Sequence, residues 1–84
     1  MHDTLLIKKI SEEVNELSKM NELIKVTKLV VTVNHKSHVN EGNLYDHLHH
    51  MSKRRFGPWT QIQVVRDDIQ DQVAILQSLE GEKE

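Results

Sequence analysis

The chain has 84 residues, of which 37% are hydrophobic and 29% are charged, and its formal net charge is −2. These values are typical of one small folded domain and argue against a disordered chain or a strongly basic nucleic-acid-binding protein. The sequence contains no cysteine, which excludes disulfides, cysteine zinc sites and thiol nucleophiles. It also has no long apolar run and no signal-peptide pattern, so we expect no membrane span and a cytoplasmic location.

The first predicted element is an amphipathic helix from Thr4 to about Glu22. Apolar residues recur there at intervals of three or four, which places them on one face of a helix. They are Leu6, Ile10, Val14, Leu17 and Met20, with Leu5 and Ile7 widening the stripe. Asp3 or Thr4 is predicted to cap the start of this helix.

A strand is predicted next, from Lys25 to Asn34, because β-branched residues dominate this segment. Strict alternation would place one set of side chains on a buried face and the other set on a partly buried face. The first set is Thr27, Leu29, Val31 and Val33, and the second is Val26, Lys28, Val30 and Thr32.

A second helix is predicted from Glu41 to about Arg54, with Asn40 as its N-cap. Gly57 and Pro58 follow it and are strong terminators. Its predicted apolar stripe consists of Leu44, Leu48 and Met51, with Tyr45 and Phe56 as supplements.

Two further strands are predicted, from Thr60 to Arg66 and from about Gln72 to Leu79. Ile62 and Val64 share one face of the earlier strand. In the later strand, Val73, Ile75, Gln77 and Leu79 alternate with Ala74 and Leu76. The short turn between these strands favours an antiparallel hairpin. We expect residues 1–80 to form a single domain and residues 81–84 to form a disordered tail.

The predicted fold class is therefore α+β, with element order α-β-α-β-β. Two amphipathic helices packed on one face of a three-stranded mixed sheet give a two-layer sandwich. The first two strands could be parallel neighbours joined through the second helix, or they could be separated by the third strand.

The start of the chain carries a candidate metal site. The amino group of Met1, the deprotonated backbone amide of His2 and the His2 imidazole would form two chelate rings on one metal ion, and Asp3 could supply a fourth donor. Such a donor set suits Ni(II) or Cu(II) better than tetrahedral Zn(II). The alternative is that His2 has no metal role and that Asp3 only caps the helix.

Several segments, taken in order, resemble a known family. "MHDTLLIKKI" opens a helix, "VTKLVVTVN" forms a strand, and "TQIQVV" precedes a last strand "VAILQSLEGE". This order is similar to that of the hydrogenase/urease nickel-incorporation proteins of the HypA (HybF) type, which begin Met-His-Glu. The likeness covers about residues 1 to 82. The family's two CxxC pairs are absent here, Asp3 replaces its Glu, and Asn34 stands where it usually has Gly.

The resemblance implies a nickel metallochaperone-like accessory protein rather than an enzyme. Met1, His2 and Asp3 would be the Ni(II) ligands, and no zinc is expected because the zinc ligands are missing. The implied partners are a nickel-enzyme precursor, such as that of NiFe hydrogenase, or a nickel GTPase. The alternative is a protein-interaction module of the same fold that has lost metal binding. The sequence leaves a homodimer open.

Other histidines provide weaker candidates for metal binding. His47 and His50 lie three residues apart on the second helix, close to Asp46, while His49 points elsewhere. His35 and His38 lie in the loop after the first strand and could complete a site with His2. For these residues, the favoured interpretation is solvent-exposed histidine without a metal.

A short basic run, Lys53 to Arg55, lies beside Phe56 and Trp59. Such a run can bind phosphates and stack on bases, but cations at the end of a helix are the favoured interpretation. We therefore expect no nucleic-acid partner, although the same residues could dock an acidic protein surface. No acid–base pair, phosphate loop or activated nucleophile is evident, so no enzymatic activity is predicted.

Overall fold

The chain forms two helices and three strands, in the predicted order α-β-α-β-β. The structure, a computed structural model, describes residues 4–83. The elements are α1 (Thr4–Met20), β1 (Leu23–Asn34), α2 (Glu41–Met51), β2 (Gln61–Asp67) and β3 (Ala74–Lys83). The predicted α+β class with two helices and a three-stranded mixed sheet is confirmed. Within residues 4–83, neither helix is long and apolar enough to cross a membrane.

The sheet has the strand order β2-β1-β3. β1 pairs in parallel with β2, from Lys28 opposite Gln61 to Asn34 opposite Asp67. β1 also pairs antiparallel with β3, along its whole length from Leu23 to Val33. The predicted hairpin between β2 and β3 is therefore wrong. These strands lie on opposite sides of β1, because the long central strand offers pairing partners on both edges.

The core lies between the helices and one face of the sheet. α1 contributes Leu6, Ile10 and Val14, and α2 contributes Leu44 and Leu48. The other core residues are Leu23, Val26, Leu29, Val31 and Val33 of β1, with Val39 and Phe56 from the connections. Burying these side chains is the main source of stability for a domain of this size.

Three register irregularities between β1 and β3 change which residues face the core. Two of them place an extra residue in β1, so the buried positions are Leu23, Val26 and Leu29, spaced by three. Thr27 does not share the buried face of Leu29, contrary to the strict alternation predicted. A bulge inserts an additional residue and locally reverses the faces of a strand, which is why sequence alternation fails here.

The third irregularity places Gln77 as the extra residue of β3, because Val30 lies opposite Ser78 and Val31 lies opposite Leu76. Leu76 and Leu79 consequently both pack against the core. Val73 and Ile75, predicted to share the face of Leu79, are exposed. The predicted face assignment of β3 is therefore wrong in its first half.

Both helices end earlier than predicted. At the end of α1, Asn21 donates its backbone nitrogen and its side chain to the Leu17 carbonyl, and the helix cannot continue because Glu22 adopts a left-handed φ of 59°. Met20 is 72% exposed and Leu5 is 73% exposed, so neither belongs to the buried stripe. α2 ends at Met51, which is also exposed, whereas Phe56 is fully buried as predicted.

Residues 81–83, predicted as part of a disordered tail, are in a strand, whereas residue 84 lies outside the described residues. Residues 81–83 belong to β3, where Gly81, Glu82 and Lys83 pair with Val26, Lys25 and Leu23. The pairing extends the sheet because β1 begins two residues earlier than predicted and offers them backbone partners.

Candidate metal site beside the first helix

The predicted ligands Met1, His2 and Asp3 lie outside the described residues. The described chain begins with Thr4, the first residue of α1. Thr4 and Ile7 of α1 line a groove whose other wall comes from α2. The residues of that wall are Asn43, Asp46, His47, His50 and Met51. We call this feature the α1–α2 groove. Its lining includes Thr4, which directly follows the predicted ligands in the sequence.

The first turn of α2 is held by a reciprocal cap. The Asn40 side chain accepts a hydrogen bond from the Asn43 backbone nitrogen at 2.9 Å, and the Asn43 side chain accepts one from the Asn40 nitrogen at 3.0 Å. Asn43 Nδ2 also donates to the His38 carbonyl at 2.9 Å. These bonds confirm Asn40 as the N-cap and fix the groove-lining residue Asn43 to the preceding loop.

Arg66 and Glu41 attach this loop and helix to the edge strand β2. The Arg66 guanidinium donates to the carbonyls of Ser37 and Val39 at 2.7 and 2.6 Å. A Glu41 carboxylate oxygen accepts a hydrogen bond from the Val64 nitrogen at 2.8 Å. That bond, then the backbone of Glu41 itself and the charge of Arg66, lower the pKa of Glu41, and burial opposes them.

The histidines of α2 divide between two environments. His47 is half-buried and His50 is exposed, and both line the α1–α2 groove. His49 is directed elsewhere, as predicted: its Nδ1 lies 2.8 Å from the Phe56 carbonyl oxygen, and its ring stacks on Tyr45 with centroids 5.4 Å apart. Since a carbonyl can only accept, Nδ1 of His49 carries the hydrogen in this contact.

No three His, Asp or Glu side chains within residues 4–83 are grouped closely enough to hold a metal ion. His35 and His38 are exposed in the loop after β1. The groove thus contributes two imidazoles and one carboxylate along its wall, but it does not present a complete ligand set from the described residues.

The basic run is not a single cationic patch. Lys53 and Arg54 are exposed, but Arg55 is half-buried and donates to the Leu23 carbonyl at 3.0 Å and to Asn15 Oδ1 at 2.7 Å. Phe56 is fully buried, so it cannot stack on a base. The remaining aromatic, Trp59, lies under Lys25, whose Nζ is 4.8 Å from the ring centroid.

Sequence reasoning missed the roles of Glu41, Arg55 and Arg66. Each of them bonds a partner at least 23 residues away along the chain, so no local pattern indicates the contact. The groove that Thr4, His47 and His50 line together was missed for the same reason, because it depends on how α1 packs against α2.

The fold places the chain among two-layer α+β proteins with a three-stranded mixed sheet. No protein-family model and no curated protein matches the sequence. Among solved structures, the chain is similar to the solution structure of the Ni metallochaperone HypA from Helicobacter pylori, with a TM-score of 0.68 and 14% sequence identity. The match covers 100% of both chains. At this identity the similarity establishes a shared HypA-like fold.

Proposed function

We propose that this protein is a Ni(II)-binding, metallochaperone-like accessory protein for the maturation of a nickel enzyme such as NiFe hydrogenase. The observation that carries the proposal is the full-length similarity of the fold to a structure described as a Ni metallochaperone. The sequence independently supplies a nitrogen donor set at Met1 and His2, followed by the carboxylate of Asp3. Nickel is the cargo of such a protein, and no reaction is catalysed.

The chemistry of the donors supports nickel in preference to zinc. An amine, an amide nitrogen and an imidazole from two successive residues form adjacent chelate rings with nitrogen donors in one plane, an arrangement that suits Ni(II). Zinc favours a tetrahedral set of separate ligands. Binding releases one proton from the α-amino group, which titrates near pH ~8, and a second proton from the His2 backbone amide, which the metal ion displaces, so nickel affinity should rise with pH.

The proposed partner is the recipient nickel-enzyme precursor or a nickel GTPase. Lys53 and Arg54 are exposed at the end of α2, and Lys19 lines the same surface depression as Arg54. These cations could contact an acidic surface on the recipient, since complementary charge speeds encounter between proteins.

The test is a nickel titration by calorimetry of untagged protein whose first residue is verified by mass spectrometry as Met1. We expect binding that is lost both in His2→Ala and in a variant extended by two residues before Met1. His35→Ala is the matched control, because it removes an exposed imidazole from the loop after β1. Equal nickel affinity in all four proteins would contradict the proposal.

A second candidate is a protein-interaction module of the same fold without metal binding. The observation that favours it is the pair of exposed cations Lys53 and Arg54 after α2, with the 38% exposed Trp59 in the following loop. The test is binding of a recipient protein in the absence of nickel. This candidate is supported if wild type and His2→Ala bind the recipient equally and Arg54→Glu does not bind it.

A further inference from the structure

We infer that the outer edge of β3 is a docking site for an extended, basic segment of another protein, which adds a fourth strand to the sheet. The lysine or arginine side chains of that segment lie in a trough between α1 and β3. This surface includes neither the amino-terminal residues nor the α1–α2 groove, so the inference is independent of nickel and goes beyond the proposed function.

The two edges of the sheet differ in how the protein itself uses them. β2 and β3 are the outer strands. At β2, the Glu41 carboxylate accepts a hydrogen bond from the Val64 nitrogen, and Arg66 holds the loop before α2. β3 is 10 residues long, and within residues 4–83 no strand pairs with its other side. An unpaired edge strand can bind an added strand through backbone hydrogen bonds.

A trough runs beside β3 on the face of the sheet that carries the helices. It consists of three depressions in which neighbours share lining residues, from Leu5 and Gln72 at one end to Asn21 and Lys83 at the other. The central depression has a volume of about 870 Å³. We call this feature the α1–β3 trough. Its apolar lining includes Leu6, Ile10, Val14, Leu17, Leu76 and Leu79.

The trough exists because α1 covers β3 incompletely. Leu29 and Val31 of the central strand are buried, whereas Leu76 and Leu79 of β3 are only half-buried, although they pack against the same core. Ile75, next to Leu76, is 43% exposed. A fourth strand would lie about 4.8 Å from β3 and direct alternate side chains to the two faces of the sheet. It would therefore cover apolar surface on both faces, which favours binding.

The charges along the trough favour a basic segment. Glu12, Glu13 and Glu16 of α1 are exposed and line the central depression, together with one cation, Lys9. Lysine and arginine have apolar stems that can pack on the leucines while their charged ends reach the carboxylates. Complementary charge also speeds encounter between partners. A second copy of this chain is a poorer match, because its net charge is −2.

The experiment uses nickel-free protein and an end-blocked peptide, about as long as β3, in which lysine and valine alternate. We expect binding at physiological ionic strength, with slower amide hydrogen exchange in β3 and unchanged exchange in β2, measured by NMR. A peptide with the same lysines and valines arranged in two blocks is the control. It keeps the charge but cannot place its lysines along one face of a strand, so it should not protect the β3 amides.

Two double variants test the carboxylates of the trough. Glu12→Gln/Glu16→Gln should weaken binding of the alternating peptide by about threefold or more, because two exposed ion pairs are lost. Asp46→Asn/Asp68→Asn is the matched control. It removes the same charge at exposed positions that do not line the trough, so its affinity should lie within about twofold of wild type because salt screens distant charges.

Three results would overturn the inference. They are no binding of the alternating peptide, binding without slower exchange in β3, and equal affinity for wild type and Glu12→Gln/Glu16→Gln. If the β3 amides are already protected in the free protein and sedimentation shows a dimer, a second copy occupies the edge and the inference also fails. None of these results affects the proposed nickel binding, which calorimetry tests separately.

Discussion

Arg55 donates a hydrogen bond from Nη1 to the Asn15 side-chain oxygen at 2.7 Å and so joins the segment after α2 to α1. Nε of the same guanidinium donates to the Leu23 carbonyl at 3.0 Å. The Arg55 carbonyl accepts from the Val26 nitrogen at 2.9 Å. One residue thus connects α1, the beginning of β1 and the connection to β2, which makes it a structural residue within an apparently cationic run.

Replacing Arg55 with Lys is expected to lower the free energy of unfolding by about 1–2 kcal/mol. An ammonium group cannot present two donors in the fixed fork of a guanidinium, so at least one of the two hydrogen bonds is lost. Urea unfolding at neutral pH measures the change. Arg54→Lys is the matched control at an exposed neighbour and should lie within about 0.5 kcal/mol of wild type. Equal losses of unfolding free energy in the two variants would contradict a stabilising role for the hydrogen bonds of the Arg55 guanidinium.

Gly81 of β3 lies directly against the backbone of β1. A Cβ atom at this position would overlap the Lys25 carbonyl oxygen. Gly81→Ala should therefore destabilise the protein by about 2 kcal/mol, because the backbone of one strand has to move. Thermal or urea unfolding provides the measurement.

The adjacent exposed residue supplies the control for Gly81. Glu82→Ala lies on the same strand and is expected to change stability by less than about 0.5 kcal/mol. Comparison of the two variants also tests whether residues 81–83 pair with β1. If residues 81–83 did not pair with β1, neither substitution would have a measurable effect.

The element order was predictable because its signals are local. Asn40 caps α2 through a contact with Asn43, three residues away, and the glycine and proline at 57 and 58 mark the chain reversal before β2. The buried positions of α1 follow the helical repeat that the sequence displays. Each of these features depends on residues within one or two turns, which is the range that a sequence pattern records.

The sheet order and the faces of β3 were not predictable from such patterns. The position of β3 beside β1 depends on contacts such as Leu29 with Leu79, which are 50 residues apart in the chain. The bulge at Gln77 cannot be recognised from the alternation of apolar and polar residues in the sequence. That alternation therefore predicts a buried Ile75, which is exposed in the structure. The candidate groove was not predictable for a similar reason, since Thr4 and His50 line it together only because α1 packs against α2.

The hydrogen bond between Glu41 and Val64 predicts how stability depends on pH. The backbone donors and Arg66 hold the pKa of Glu41 below its ordinary value of 4.5. In the interval between the lowered pKa and 4.5, the unfolded chain binds more protons than the folded chain, so stability falls as the solution is acidified. The contribution is fully present above the ordinary pKa and is lost as pH falls through the lowered one.

Glu41→Gln removes this contribution while keeping a side-chain oxygen that can accept from Val64. We expect the stability of wild type to exceed that of the variant near pH 6, by less than about 1 kcal/mol because Glu41 is exposed to screening solvent. The difference should shrink in urea titrations as pH is lowered through the ordinary pKa of 4.5 and then through the lowered one. Glu13→Gln, at an exposed position on α1, separates the Val64 contact from the general effect of losing one negative charge. Parallel pH profiles for wild type and Glu41→Gln would mean that the carboxylate is not held by the edge strand.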